Sequence, residues 1–162
     1  MSDEARRQLV ALLPRLRRFA KVLARSDDQA DDLLQAACER ALTRLDQWQP
    51  GTRLDSWMYR IMQTVWIDWV RKNKVRGIPE PIEDQHDLSG SDGRQVVESQ
   101  LELSAVRAAI KELPDEQRAV LGLVTIDGLS YKEAAEVLSL PIGTVMSRLS
   151  RARIRLGKVV AS

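Results

Sequence analysis

The final stretch of the chain, Pro141 to Ser162, carries Arg148, Arg151, Arg153, Arg155 and Lys158 and no acidic residue. Guanidinium groups so placed suit two tasks. Their planar fork matches the two major-groove acceptors of guanine, at about 1–3 kcal/mol of discrimination per good pair. Their charge also draws phosphate regardless of sequence. The residues before this run supply a frame for it. Ser130-Tyr-Lys-Glu133 has the spacing of a capping box, opening a short helix that ends near Leu138. Leu140-Pro-Ile-Gly143 reads as a turn, and Thr144 as the cap of a last helix reaching about Val159. A short helix, a tight turn and an arginine-rich helix make a helix-turn-helix. Small Ala134 and Ala135 let the two helices approach, and Val137, Leu138, Ile142, Val145 and Leu149 form the expected seam. Opposite it, Thr144, Ser147, Arg148 and Arg151 face outward where such helices meet base edges, while Arg153, Arg155 and Lys158 are placed for phosphates. Ser139 holds a turn position where positive φ often calls for glycine. The competing reading is a plain solvated basic helix. The coincidence of cap, turn and acid-free run weighs against it.

A second group could also meet nucleic acid. All four tryptophans, Trp48, Trp57, Trp66 and Trp69, fall within 22 residues, together with Tyr59. Arg53, Arg60, Arg71, Lys72, Lys74 and Arg76 flank them. A base stacked on an aromatic ring contributes about 1–3 kcal/mol, the scale of the few kcal/mol needed to unstack a base from duplex. Core packing is the other reading. Trp57, Ile61, Val65 and Asp68 share one helical face, which favours core for Trp57 and, by similar spacing, Trp66. Trp48 and Trp69 stay open to either reading.

These groups need helices to position them. Leu9, Leu12, Leu13, Leu16, Phe19, Ala20 and Leu23 form one apolar stripe. Ser26-Asp-Asp28 caps a second helix running to about Leu45. Pro50-Gly51 breaks the chain, and Thr52 with Asp55 resembles a capping box for a third helix, Leu54 to about Lys74. A helix over Val97 to Glu112 follows, then one opened by Pro114-Asp-Glu116 and closed by Asp127-Gly128. No alternating run marks a strand. The expected fold is all-α: two small helical domains, residues 1–76 and 97–162, joined by an acidic, Gly- and Pro-bearing linker over 77–96.

Composition narrows the function. Net charge is only +2, but residues 1–76 hold 15 basic against 10 acidic side chains, and residues 77–95 hold 5 acidic against 1 basic. The single cysteine, Cys38, excludes an intrachain disulfide, and Cys and His are too few for a zinc site, which suits a reducing cytosol. There is no signal-peptide core and no membrane-length apolar run, so membrane insertion is not expected. The one histidine, His86, lies in the linker, and no nucleophile–base pair stands out. No enzyme activity, catalytic residue, metal, cofactor or small-molecule substrate is expected.

Taken together, the chain resembles the extracytoplasmic-function (ECF) group of bacterial sigma factors over almost its whole length. The segments that carry the resemblance are Ala30-Asp-Asp-Leu-Leu-Gln-Ala-Ala-Cys-Glu-Arg-Ala-Leu42, Gly51-Thr-Arg-Leu-Asp-Ser-Trp-Met-Tyr-Arg-Ile61, Leu113-Pro-Asp-Glu-Gln-Arg118, Gly128-Leu-Ser-Tyr-Lys-Glu-Ala-Ala135 and Gly143-Thr-Val-Met-Ser-Arg-Leu-Ser-Arg-Ala-Arg153. The resemblance implies a cytoplasmic transcription initiation factor that binds core RNA polymerase and directs it to promoter DNA. It implies that Asp31, Asp32, Leu33, Leu34 and Gln35 dock on the polymerase clamp. Trp48, Thr52, Arg53, Trp57, Arg60 and Trp69 would capture and melt the downstream promoter element, with Asp68, Arg71 and Lys72 near the adjacent duplex. Thr144, Ser147, Arg148 and Arg151 would read the upstream element. An anti-sigma partner is implied too, and Ser147-Arg-Leu-Ser-Arg-Ala-Arg153 resembles general-stress members. Two departures stand out: Met146 where a basic residue is common, and Gln63-Thr-Val65 in place of an Arg-Asn pairing. Splitting DNA contacts over two weak modules implies feeble duplex binding by the free protein and tight binding once polymerase sets the geometry. The alternative is a helix-turn-helix regulator acting as a dimer on a palindrome.

Overall fold

The computed structural model describes residues 3–76 and 104–161. The linker and the start of the helix expected from Val97 lie outside them. Among the described residues every regular element is helical.

The first half is a three-helix unit. Helix α1 (Asp3–Leu23) places its acids, Asp3 and Glu4, at the positive end and Lys21 at the negative end. It buries Ala5, Leu9, Leu16, Phe19, Ala20 and Leu23, the expected stripe, with Leu12 partly covered. Pro14 lies inside it and cannot donate to the Val10 carbonyl; Val10 is well exposed, so water can take that partner's place. Helix α2 (Asp27–Thr43) begins at Ser26, whose hydroxyl accepts from the Gln29 N–H as expected of a cap. It ends two residues earlier than expected and passes into a short 3-10 turn, Leu45–Gln47. Helix α3 (Leu54–Arg76) packs against both. The Thr52–Asp55 capping box does not form. The Thr52 hydroxyl donates to the Gln49 carbonyl, and the Asp55 carboxylate is drawn off by Arg53, Arg15 and the Ser56 N–H. Short Asp was outcompeted by arginine forks with more charge to offer.

The second half begins with helix α4 over residues 104–112, followed at Pro114 by helix α5 (Asp115–Leu121). Helix α5 runs straight into a π-helical turn, Gly122–Ile126, which Gly128 closes at φ +75°. Helix α6 (Tyr131–Leu138) has both arms of the expected capping box: the Ser130 hydroxyl accepts from the Glu133 N–H, and the Glu133 carboxylate accepts from the Ser130 N–H. Ser139 ends it in the left-handed region, φ 54° and ψ 47°, so a serine does take the conformation that glycine would hold without strain. Helix α7 (Ile142–Ala161) then starts two residues before Thr144. The Pro141 carbonyl accepts from the Thr144 and Val145 N–H groups, so Thr144 lies in the first turn and is not the cap. Where α6 and α7 pack together, Ala134, Ala135 and Val137 of α6 and Val145, Leu149 and Ala152 of α7 are buried, with Leu138 partly so; α7 also packs on α5. Ile142 is not among them: as the first residue of α7, beyond the end of α6, it is half exposed.

The two halves meet. Their buried side chains form one continuous apolar cluster running from α1–α3 into α5–α7. Each fully buried Leu, Phe or Met in it contributes about 1.5–3 kcal/mol by leaving water. Gly122 lies against α1 so closely that an added Cβ would stand 3.1 Å from the Phe19 ring and 3.2 Å from Val22. Phe19 in turn packs edge-to-face on Tyr59 of α3, centroids 5.2 Å apart.

At this seam the guanidinium of Arg118, fully buried, ties three helix ends together. It donates to the carbonyls of Lys111 (2.9 Å) and Leu113 (3.0 Å) at the end of α4, to Leu23 (3.0 Å) at the end of α1, and pairs with Asp115. Carbonyls past the last turn of a helix have no intrahelical donor and carry the negative pole of its dipole. One cation serves two such poles from opposite halves of the chain.

Candidate nucleic-acid interface

Helix α7 presents the basic face as expected. Ser147, Arg151, Arg153, Arg155 and Lys158 are exposed, while Thr144 and Arg148 are partly covered. The Ser147 hydroxyl turns back to the Thr144 carbonyl at 3.1 Å. Val145, Leu149 and Ala152 hold the opposite face inside, which fixes the orientation of the row. Met146, exposed, stands in the middle of it, so the helix offers an apolar contact where another cation would add phosphate affinity.

The aromatic cluster divides. Trp48 and Trp66 are buried core residues; Trp57 and Trp69 are only partly covered. Trp69 meets Trp66 edge-to-face at 6.4 Å. Trp57 lines a groove with Ile61, Thr64 and Arg60 of α3, Arg40 of α2, Arg44 just past its end and Gln47 of the 3-10 turn. Three arginines beside an indole face suit a base and its phosphate. Arg40, Arg44 and Gln47 escaped sequence reading, because only the turn after α2 brings Arg44 and Gln47 back against α3 beside Arg40. Arg40 also reaches Asp68 of α3 at 3.8 Å. Thr52, Arg71 and Lys72 are exposed.

On α2, Asp31, Asp32 and Gln35 are exposed and Leu34 is partly covered, but Leu33 is wholly buried. Leu33 therefore seats α2 in the core and cannot be part of a docking face. Asp31 pairs with Arg17 at 3.4 Å, and Gln35 donates to Glu39.

Charged groups concentrate where the halves meet. Burial alone would raise the Asp55 carboxyl, but hydrogen bonds from Arg53 and the Ser56 N–H, with the Arg53 and Arg15 charges, hold it below the ordinary range. Arg53 donates to Asp55 at 2.7 Å and pairs with Glu133 of α6, crossing between halves. Arg60 donates to the Glu136 carbonyl of α6 at 2.6 Å. Arg15 lies over the Tyr59 ring, 5.9 Å from its centroid. Burial and the nearby negative charge of Asp127 push the Tyr59 phenol up to about 12. Asp127, at the end of the π turn, has both carboxylate oxygens buried without a hydrogen-bond partner. Burial raises it to about 6, against the opposing pull of Arg18 and Arg15. Sequence reading missed this cluster because its members are spread from residue 15 to residue 133.

Among the described residues, no group of His, Cys, Asp and Glu is placed to hold a metal, and no helix is long and apolar enough to cross a membrane. Residues 103–156 match the family described as Sigma-70, region 4, and residues 9–63 match the Sigma2 domain of PhyR. The chain is 33% identical to the ECF RNA polymerase sigma factor EcfG of Rhodopseudomonas palustris, over 99% of this chain and 87% of the relative. It is 34% identical to the ECF RNA polymerase sigma factor SigW of Bacillus subtilis, over 80% of this chain and 74% of that one. Among solved structures it resembles the sigma factor RpoE of Bartonella quintana, in complex with the anti-sigma factor NepR. The TM-score there is 0.81 at 29% identity, covering 99% of this chain and 98% of the other.

Proposed function

Since this chain belongs to the ECF group of RNA polymerase sigma factors, and so directs promoter-specific transcription initiation, we propose how its surfaces divide that work. Helix α7 reads the upstream promoter element through Thr144, Ser147, Arg148 and Arg151, and Arg153, Arg155 and Lys158 hold phosphates. The groove on α3, with Trp57, Arg60, Arg40 and Arg44, takes bases of the melted downstream element; Thr52, Arg53, Trp69, Arg71 and Lys72 extend that surface. Asp68 serves it by steadying Arg40 at 3.8 Å. Trp48 supports it from the core. Asp31, Asp32, Leu34 and Gln35 of α2 dock on core RNA polymerase. The factor works in the cytoplasm, catalyses no reaction, and is held in check by an anti-sigma protein, as the RpoE of Bartonella quintana is bound by NepR. The pattern Ser147–Arg153 and the likeness to EcfG support a place among the general-stress members.

The observation that carries the reading is the basic row of α7, with Arg151, Arg153, Arg155 and Lys158 exposed and Arg148 partly covered, on a helix-turn-helix whose cap and turn are formed. Adding the protein to core polymerase and sequencing the transcripts tests it directly. Initiation from a defined promoter set is expected, with the same starts lost in Arg148→Ala and Arg151→Ala, while Lys158→Ala mainly lowers the salt dependence. Equal promoter selectivity in all three variants would remove the reading residues from α7. Failure to form a complex with core polymerase would overturn the docking assignment.

A further inference from the structure

Around the axis of α7, the two edges of the exposed face differ in chemistry. At about 100° per residue, Arg148, Arg151 and Arg155 fall within one arc about 60° wide, to one side of Ser147. Ile142 and Met146, one turn apart, fall to the other side, with Met146 about 160° from Arg148. Arg153 shares that second edge but lies two turns further along. Ile142 and Met146 are each 49% exposed. A single exposed apolar side chain is ordinary on a protein surface. This pair stands where exposure has a use: in the first two turns of α7, the end at which recognition helices meet base edges. Val145 and Leu149, both buried, fix how α7 is turned, so Met146 is held outward.

We propose that Met146, with Ile142 beside it, reads a thymine of the upstream element through its C5-methyl group, and so is a specificity residue of α7. This rests on the reading of α7 as the helix that enters the major groove. Thymine alone among the four bases carries a methyl on its major-groove edge. The methionine side chain is long, unbranched and polarisable, so it can follow that edge without a fixed geometry. A cation at 146 would draw phosphate on any sequence. Methionine draws none, and gains only where apolar surface is covered on both sides of the contact. The two edges then divide the groove: arginines on guanine acceptors and phosphates, methionine on a methyl.

Uracil in place of thymine removes that methyl and leaves every hydrogen-bonding group of the base where it was. Holoenzyme, formed from the full chain and core polymerase, is titrated on a synthetic promoter taken from its own transcript starts. Each thymine of the upstream element, on either strand, is replaced in turn by uracil, and the dissociation constant at fixed salt is the readout. Wild type is expected to bind roughly three- to fivefold more weakly when one of these thymines loses its methyl, the scale of one buried carbon. Met146→Ala is expected to bind the thymine and uracil forms of that promoter alike, because the two changes remove the same contact and do not add. Wild type indifferent to uracil at every position, or Met146→Ala that keeps the full preference for thymine, overturns the methyl contact. Arg148→Ala and Arg151→Ala on the same promoters separate the two levels of the reading. If they keep full promoter selectivity, α7 does not read the element and the premise fails with the proposal; if they lose it, a failure is confined to Met146.

Discussion

Arg118 is the residue whose removal should cost the most. Its guanidinium is wholly buried, donates to three main-chain carbonyls and pairs with Asp115. Charge-assisted hydrogen bonds contribute about 1.5–3 kcal/mol each. Adding four such values overstates the effect, because desolvating the cation costs several kcal/mol. Breaking a buried pair from one side gives a better scale, about 3–5 kcal/mol. Arg118→Ala is therefore expected to lose about 3–5 kcal/mol, a large share of a domain's total of about 5–15. Arg118→Met separates the causes: it restores volume but no donor, and should still lose roughly 2–3 kcal/mol through the carbonyls of Lys111, Leu113 and Leu23 left without their cation. Arg118→Lys, a point charge with no fork, should fall between the parent and Met. Urea unfolding followed by far-UV circular dichroism measures this through the midpoint at constant slope. If Ala and Met both remain within about 1 kcal/mol of wild type, the cation is not holding the helix ends and the argument fails.

Asp127 supplies a prediction in pH. Its folded-state pKa, about 6, lies above the ordinary 3.8, so the native state holds a proton that the unfolded chain has released. Its protonation favours the fold below about pH 4, and that contribution is lost as pH rises through about 6. Asp127→Asn should raise the melting temperature at neutral pH and give little gain near pH 4; a uniform shift across thermal melts would contradict this. Ser139→Gly relieves a left-handed residue and should stabilise the helix-turn-helix by roughly 0.5–1 kcal/mol in chemical denaturation; destabilisation would show the serine to be unstrained. Ser130→Ala removes one arm of the capping box and should cost about 1 kcal/mol, read by the same assay, with no cost meaning that α6 is held by packing alone.

The sequence announced the elements far better than their relations. Periodicity placed the apolar stripe of α1, and side-chain chemistry placed the caps at Ser26 and Ser130, because both are local. The arginine row of α7 was legible for the same reason: one helix carries all of it. Local reading failed where a distant partner intervened. Asp55 has the spacing of a cap but is claimed by Arg15 from 40 residues away. Leu33 looks like one more residue of a docking motif, and only the packing of α2 on α1 and α3 shows it to be core. The groove at Trp57 needs the end of α2 beside α3, and Arg118 reads as an ordinary surface arginine until the ends of α1 and α4 arrive around it.

The closeness of Gly122 to Phe19 bears on how such proteins can be recombined. Residues 77–96 invite a cut, and grafting one protein's promoter-reading half onto another's polymerase-binding half is an obvious way to reprogramme transcription. The fit across the seam is sterically tight: a Cβ at 122 would stand 3.1 Å from the Phe19 ring, which would have to give way, and the cation at 118 must find the last carbonyl of α1. A hybrid joined only at the connector inherits half of a lock and half of a different key. Functional hybrids should come from exchanging residues 19, 22 and 23 along with 118 and 122, so that the mated surfaces travel as a set.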